Sequence, residues 1–220
     1  MKNTIIQFLK GVLQMKKSVT VETDTRRVIV DLTEDELRTL LSKANLTELG
    51  KVAPGKVIKA GKYEFIVFKQ MGDRTACLMR YALDKRRKFD DNTVNYADSS
   101  IRKFLNTEFY EELAKEVGAD NILEHAVDLT TEDGLKLYGS VTDKVSLITD
   151  QMYRDNRDVI GPNLDAWWWT ATACSKQETC TFVRAVSNDG ILGYYDYGIV
   201  GGVRPFCILK SNILVSEVEE

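Results

Sequence analysis

Along this chain the spacing of apolar residues changes character several times. At the start, "IIQFLKGVLQM" (5–15) is apolar at helical spacing, broken by Gln7, Lys10 and Gln14. That pattern predicts a short amphipathic helix packed on the domain or on a partner. "SVTVETDTRRVIVDL" then alternates with a period of two, as a hairpin turning near Asp24-Thr25 does. "TEDELRTLLSKANL" returns to helical spacing. Thr33 and Glu36 form a capping box there, and Leu37, Leu40 and Leu41 supply an apolar stripe. Pro54-Gly55 interrupts the pattern, so the expected division is an N-terminal segment, 1–54, and a domain, 55–220.

The second segment opens as a β-meander. Strands are expected near Tyr63–Gln70 and Thr75–Tyr81, around the turn Met71-Gly72-Asp73. "NYADSSIRKFLNTEFYEELAKEVG" is the clearest helix: Asp98 or Ser99 caps it, and Gly118 ends it. Ile101, Phe104, Leu105, Phe109 and Leu113 form its apolar face. "DKVSLITDQMY" reads as a short strand entering a helical turn begun by Asp150. The last sixty or so residues are strand and turn, with Asp189-Gly190 as a strong hairpin signal. Pro205 lies in the final apolar stretch, where it predicts an edge strand or a bulge.

Composition narrows the classes. The chain has 220 residues, 44% hydrophobic and 29% charged, enough for a core without a disulfide or metal. A net charge of −3 gives no electrostatic footprint for nucleic acid. No stretch approaches the roughly 20 apolar residues of a membrane span, and the N-terminal stretch lacks the apolar core and cleavage site of a signal peptide. A cytoplasmic location is expected, or a virion-associated one if the chain is phage-derived.

Cys77, Cys174, Cys180 and Cys207 lack the paired spacing of a zinc site, and free cysteines are expected. A Cys174–Cys180 disulfide would require export. No metal or cofactor is expected.

Five stretches taken in order, "YADSSIRKFLNTEFYEEL", "VTDKVSLIT", "WWWTATA", "VSNDGILGY" and "GGVRPFCIL", resemble an uncharacterised bacterial and prophage family with a C-type-lectin-like fold. The resemblance covers about Val57 to Lys210. It departs at Thr170 or Ala171, where the family usually has an arginine. The resemblance implies an α+β domain, a twisted antiparallel sheet flanked by two or three helices, after a small N-terminal helical and hairpin segment. The wider fold group also contains formylglycine-generating enzymes, phage receptor-binding tips and diversified binding proteins. Fold alone therefore does not choose a function.

Three function classes follow. The first is non-enzymatic recognition of a protein or carbohydrate through a C-terminal aromatic loop, in a phage or mobile-element setting. Its candidate contacts are Tyr194, Tyr195 and Tyr197 in "GYYDYG", with Trp168, Asn188 and Asp189. Tyrosine offers large amphipathic area at low entropy cost. The second is an enzyme related to formylglycine generation, which would draw on Cys174 with Cys180 or Cys207, or on the sole histidine, His125. The third is a structural part of a phage or mobile-element assembly, forming a homo-oligomer through the N-terminal helix. Strand alternation puts Trp167 and Trp169 on one face and Trp168 on the other, with at least one face in the core. Arg184 and Arg204 lie in apolar strands and are expected to be structural, held by carboxylate or carbonyl partners.

Overall fold

The computed structural model describes residues 18–23, 26–31, 36, 39, 45–160, 164–177 and 179–218. The expected helix over 5–15, and with it the proposed oligomer contact, lies outside them. So do Thr33, Leu37, Leu40 and Leu41; Glu36 and Thr39 are both helical. Contacts divide the chain between Thr47 and Glu48.

The first unit contains an antiparallel hairpin, β1 (Ser18–Thr23) and β2 (Arg26–Asp31), with Thr23 opposite Arg26. The period-two alternation predicted this hairpin. A two-residue strand, β3 (Thr47–Glu48), spans the division between the units.

The second unit is mostly antiparallel sheet, with one interrupted helix and short helical turns. β4 (Val57–Ala60), β5 (Tyr63–Met71) and β6 (Arg74–Met79) form the meander, with Met71 opposite Arg74 across Gly72-Asp73. β7 (Arg87–Lys88) is short, as are β8 (Ile122–Leu123) and β11 (Val145–Ser146). β9 (His125–Asp128) pairs with β10 (Ser140–Asp143). β12 (Trp168–Ala173), β13 (Phe182–Val186) and β14 (Leu192–Asp196) form a three-stranded sheet in that order. β15 (Val200–Gly201) pairs with β7, and β16 (Phe206–Lys210) and β17 (Leu214–Glu217) complete the main sheet. That sheet runs β11-β16-β6-β5-β4-β17, with β8 also on β16. Pro205 therefore precedes an interior strand rather than marking an edge. It sits one residue outside β16, where its missing N–H costs no ladder bond, and its carbonyl accepts from Met79 N–H at 2.9 Å.

The helix runs as α1 (Ser100–Phe104), a π-helical turn (Leu105–Phe109) and α2 (Tyr110–Val117). Ser99 is its cap, the Oγ accepting from Arg102 N–H. The π turn follows from the sequence. Ile101, Leu105, Phe109 and Leu113 repeat strictly every four residues, and each step overshoots an α-turn by about 40°. A wider turn keeps all four in one core, where they are buried. A shorter helix, α3 (Asp150–Asp155), is capped by Thr149 Oγ1, which accepts from Met152 N–H.

Two apolar clusters lie on opposite faces of the main sheet. Val67, Cys77, Cys207 and Leu209 share the larger one with Leu105, Phe109, Trp169, Ala171 and Val183. Phe68, Leu78, Phe206 and Ile208 share the smaller one with Tyr153, Ile160, Trp168 and Val186. Both faces being covered explains why β6 and β16 read as apolar runs instead of alternating.

The motif stretches hold one another together. Arg102 Nε and Nη2 donate to the buried Asp143 at 2.7 to 3.1 Å. Asn106 spans the same junction: its Oδ1 accepts from Lys144 and Val145 N–H and its Nδ2 donates to Val145 O. The arginine and asparagine of "SIRKFLN" are thus accounted for by "TDKV".

His125 offers one pH-dependent prediction. Its Nε2 shares a 2.8 Å hydrogen bond with the buried Ser146 Oγ, and its ring packs on Phe206. Burial holds its pKa below the ordinary 6.5, against raising contributions from the Leu123 backbone and Asp143. Below the ordinary value the unfolded chain takes up a proton that the folded chain resists, so stability must fall as pH falls. Urea midpoints from roughly pH 7 to 5 should drop more steeply for the wild-type protein than for His125→Gln.

Candidate functional site

The β13–β14 hairpin carries most of the residues that the sequence nominates for recognition. Its turn is a three-residue loop, with Ser187 N–H donating to Ile191 O at 2.9 Å and Gly190 N–H to Ser187 O at 3.0 Å. Gly190 has φ +79, the left-handed conformation that such loops require at their last position. Ser187 Oγ bonds to the Asp189 carboxylate and also accepts from Ile191 N–H. Asn188 and Asp189 are exposed at the tip. Val186 pairs with Leu192, Arg184 with Tyr194, and Val183 with Tyr195.

This register separates the three tyrosines. Tyr195 turns inward and stacks on Trp167, ring centroids 3.9 Å apart and planes within 16°. Tyr197 packs against the larger core, and its carbonyl accepts from Phe89 N–H. Tyr194 alone points outward, 58% exposed, tilted against Phe182 at 5.0 Å. Phe182, itself 43% exposed, was not among the residues singled out from sequence. The other outward apolar residues on this stretch are Ile191, Ile199 and Val200.

The tryptophans divide as strand alternation requires. Trp167 and Trp169 meet at 4.8 Å on the larger-core side, with Trp169 Nε1 donating to Arg87 O. Trp168 belongs to the smaller core, against Tyr153 at 5.8 Å. At 1% exposure its ring offers nothing to a surface ligand. Gly201 admits the pair on the other side: a Cβ there would lie 2.2 Å from the Trp167 ring.

An ionic cluster lies on the same face of the hairpin as Tyr194, around the buried Arg184 and Asp150. Arg184 sits 3.2 Å from Glu132 and 3.9 Å from Asp150, and Arg154 approaches Asp150 at 3.1 Å. The hydroxyls of Thr170 and Thr172 line the same face of β12: Thr170 donates to Arg184 O and Thr172 accepts from Asp150 N–H. Arg204, equally buried, is held by carbonyls.

The remaining candidates give little chemistry. All four cysteines are free thiols. Burial and then Glu132 push Cys174 up to about 12, so at neutral pH it is a thiol and a poor nucleophile. Cys77 and Cys207 face each other across β6 and β16 deep in the core. Among the described residues no three His, Cys, Asp or Glu side chains converge as metal ligands, and no helix is long and apolar enough to cross a membrane. No protein-family model, curated protein or solved structure matches the chain.

Proposed function

We propose that this chain is a recognition domain with a C-type-lectin-like architecture, binding a protein or glycan without catalysis. The contact surface is the outer face of the β13–β14 hairpin, centred on Tyr194 and Phe182, with Asn188 and Asp189 at its tip. A cytoplasmic or virion-associated role in a phage or mobile element fits that reading.

The exposed Phe182–Tyr194 pair is the observation that carries it. Two large rings lie together in solvent on a hairpin whose opposite face is anchored by Tyr195 and Val183 in the larger core. Rigid backing under exposed aromatics suits a binding surface, because little order remains to be imposed on docking. β14 also pairs only with β13 among the described strands, leaving the outward backbone of Leu192 and Tyr194 open to an added strand.

A glycan array and a displayed library of protein fragments are the probes. Wild-type protein should retain ligands that Tyr194→Ser and Phe182→Ser lose. Tyr81→Ser, at another exposed aromatic, should retain them all. Each substitution should move stability by no more than about 0.5 kcal/mol, as surface changes do. Empty screens, or ligands indifferent to both hairpin substitutions, would refute the assignment.

A further inference from the structure

The register of the β13–β14 hairpin decides which backbone groups of β14 face outward. Ser187 N–H donates to Ile191 O at one end, and Tyr197 N–H to Thr181 O at the other. Bonded and unbonded pairs alternate in an antiparallel ladder, so Gly193 and Tyr195 turn their backbone toward β13. Leu192, Tyr194 and Asp196 turn theirs away. Asp196 O is taken by Ile199 N–H at 3.0 Å. The N–H and C=O of Leu192 and Tyr194, and the N–H of Asp196, have no backbone partner among the described residues.

Proteins usually blunt an open edge with a lysine, a proline or a bulge. β14 contains neither residue, and it pairs with β13 without a register shift. On its outer face Phe182 leans on Tyr194, between Leu192 and Asp196. On its inner face Gly193 leaves room, since a Cβ there would meet nothing within 4 Å. A bulky side chain on a neighbouring strand can cover such a glycine. Carboxylates stand at both ends: Asp189 in the turn and Asp196 at the far end. The Ser187 hydroxyl holds the Asp189 carboxyl below the usual range, so it is charged at neutral pH. Arg184, the cation opposite Tyr194, is 7% exposed and already paired with Glu132 and Asp150. The edge is therefore apolar in its middle and acidic at its ends.

We propose that the partner is an extended peptide segment that joins β14 as a fourth strand of the β12-β13-β14 sheet. This rests on the recognition role proposed above for the same hairpin. The segment's basic residues lie beside Asp189 and Asp196, its apolar residues beside Leu192 and Tyr194, and a bulky one over Gly193. Backbone bonds hold it, and these contacts select its sequence.

The probe is the capped heptapeptide Lys-Thr-Val-Phe-Val-Thr-Lys, about 24 Å long when extended, enough to span β14 and both carboxylates. It should bind the full chain with a dissociation constant of about 0.1 mM or tighter. N-methyl groups on one alternate set of its amides should weaken binding about tenfold or more, and on the other set hardly at all. Glutamate in place of both lysines should also cost about tenfold. In the protein, exchange of the Leu192 and Tyr194 amide protons should slow about tenfold or more on binding. Peptide binding that is indifferent to N-methylation, or that weakens alike at every amide, overturns the strand. So does a lack of peptide binding. If glycans still bind and Tyr194→Ser still loses them, the recognition surface survives that outcome. Alternating dependence that persists in Tyr194→Ser and Phe182→Ser keeps the strand and removes the aromatic surface. A dimer of the free chain, with the Leu192 and Tyr194 amides already protected, gives the edge to a second copy and overturns the proposal.

Discussion

Replacing Arg102 with alanine should cost the fold about 3–5 kcal/mol, the range for breaking a buried ion pair from one side. The size of the loss comes from what stays behind. The Asp143 side chain is 1% exposed and takes three of the arginine's hydrogen bonds, while Nη1 donates to Ala97 O. Without Arg102 the carboxylate is left in the interior with its main partner gone. A double variant, Arg102→Met with Asp143→Leu, removes both charges and should recover most of the loss, because apolar side chains of similar volume can replace such a pair. Urea unfolding of the two single variants and the double variant measures this directly. A double variant as unstable as Arg102→Ala would mean that packing, not the stranded charge, sets the cost.

The second large effect belongs to Trp169. Trp169→Ala should destabilise by about 3–5 kcal/mol, typical of deleting a buried aromatic. The ring is fully buried, meets Phe89 at 5.7 Å and Trp167 at 4.8 Å, and bonds to Arg87 O. Trp167 cannot easily shift to fill the void, because it is stacked on Tyr195 and pressed close to Gly201. Near-ultraviolet circular dichroism and a urea melt would report the loss. A cost below about 1 kcal/mol would show that the cluster collapses freely into the space.

Much of the fold was legible because local rules agree with the tertiary structure. Period-two alternation placed the three tryptophans correctly, and Ser99, Gly72 and Gly118 punctuate the chain where their chemistry suggests. Long-range partners were not legible. The carbonyls around Arg204 come from Met79, Arg80 and Ile160, between 44 and 125 residues away in the chain. No local pattern encodes that meeting. Pro205 suggested an edge because sequence shows only that a donor is missing, not that it is missing just outside the strand.

The hairpin shows how finely a site depends on register. Asp189-Gly190 signals a turn, but a two-residue loop on those positions would pair Tyr194 with Ala185 and send it toward the larger core. The observed three-residue loop pairs it with Arg184 instead. A single residue of loop length thus decides which tyrosine meets solvent, and the "GYYDYG" run could not reveal it. Phe182 went unnoticed because its partner lies on the opposite arm.

The position of β16 bears on how the protein is made. It lies between β11 and β6 in the main sheet, and Phe206 to Lys210 pair with Leu78 to Arg74, more than 120 residues earlier. The meander strands leave the ribosome long before this partner exists. Throughout that interval β6 presents an open, apolar edge, so nascent chains ending before residue 206 are the species most exposed to aggregation and most dependent on chaperones.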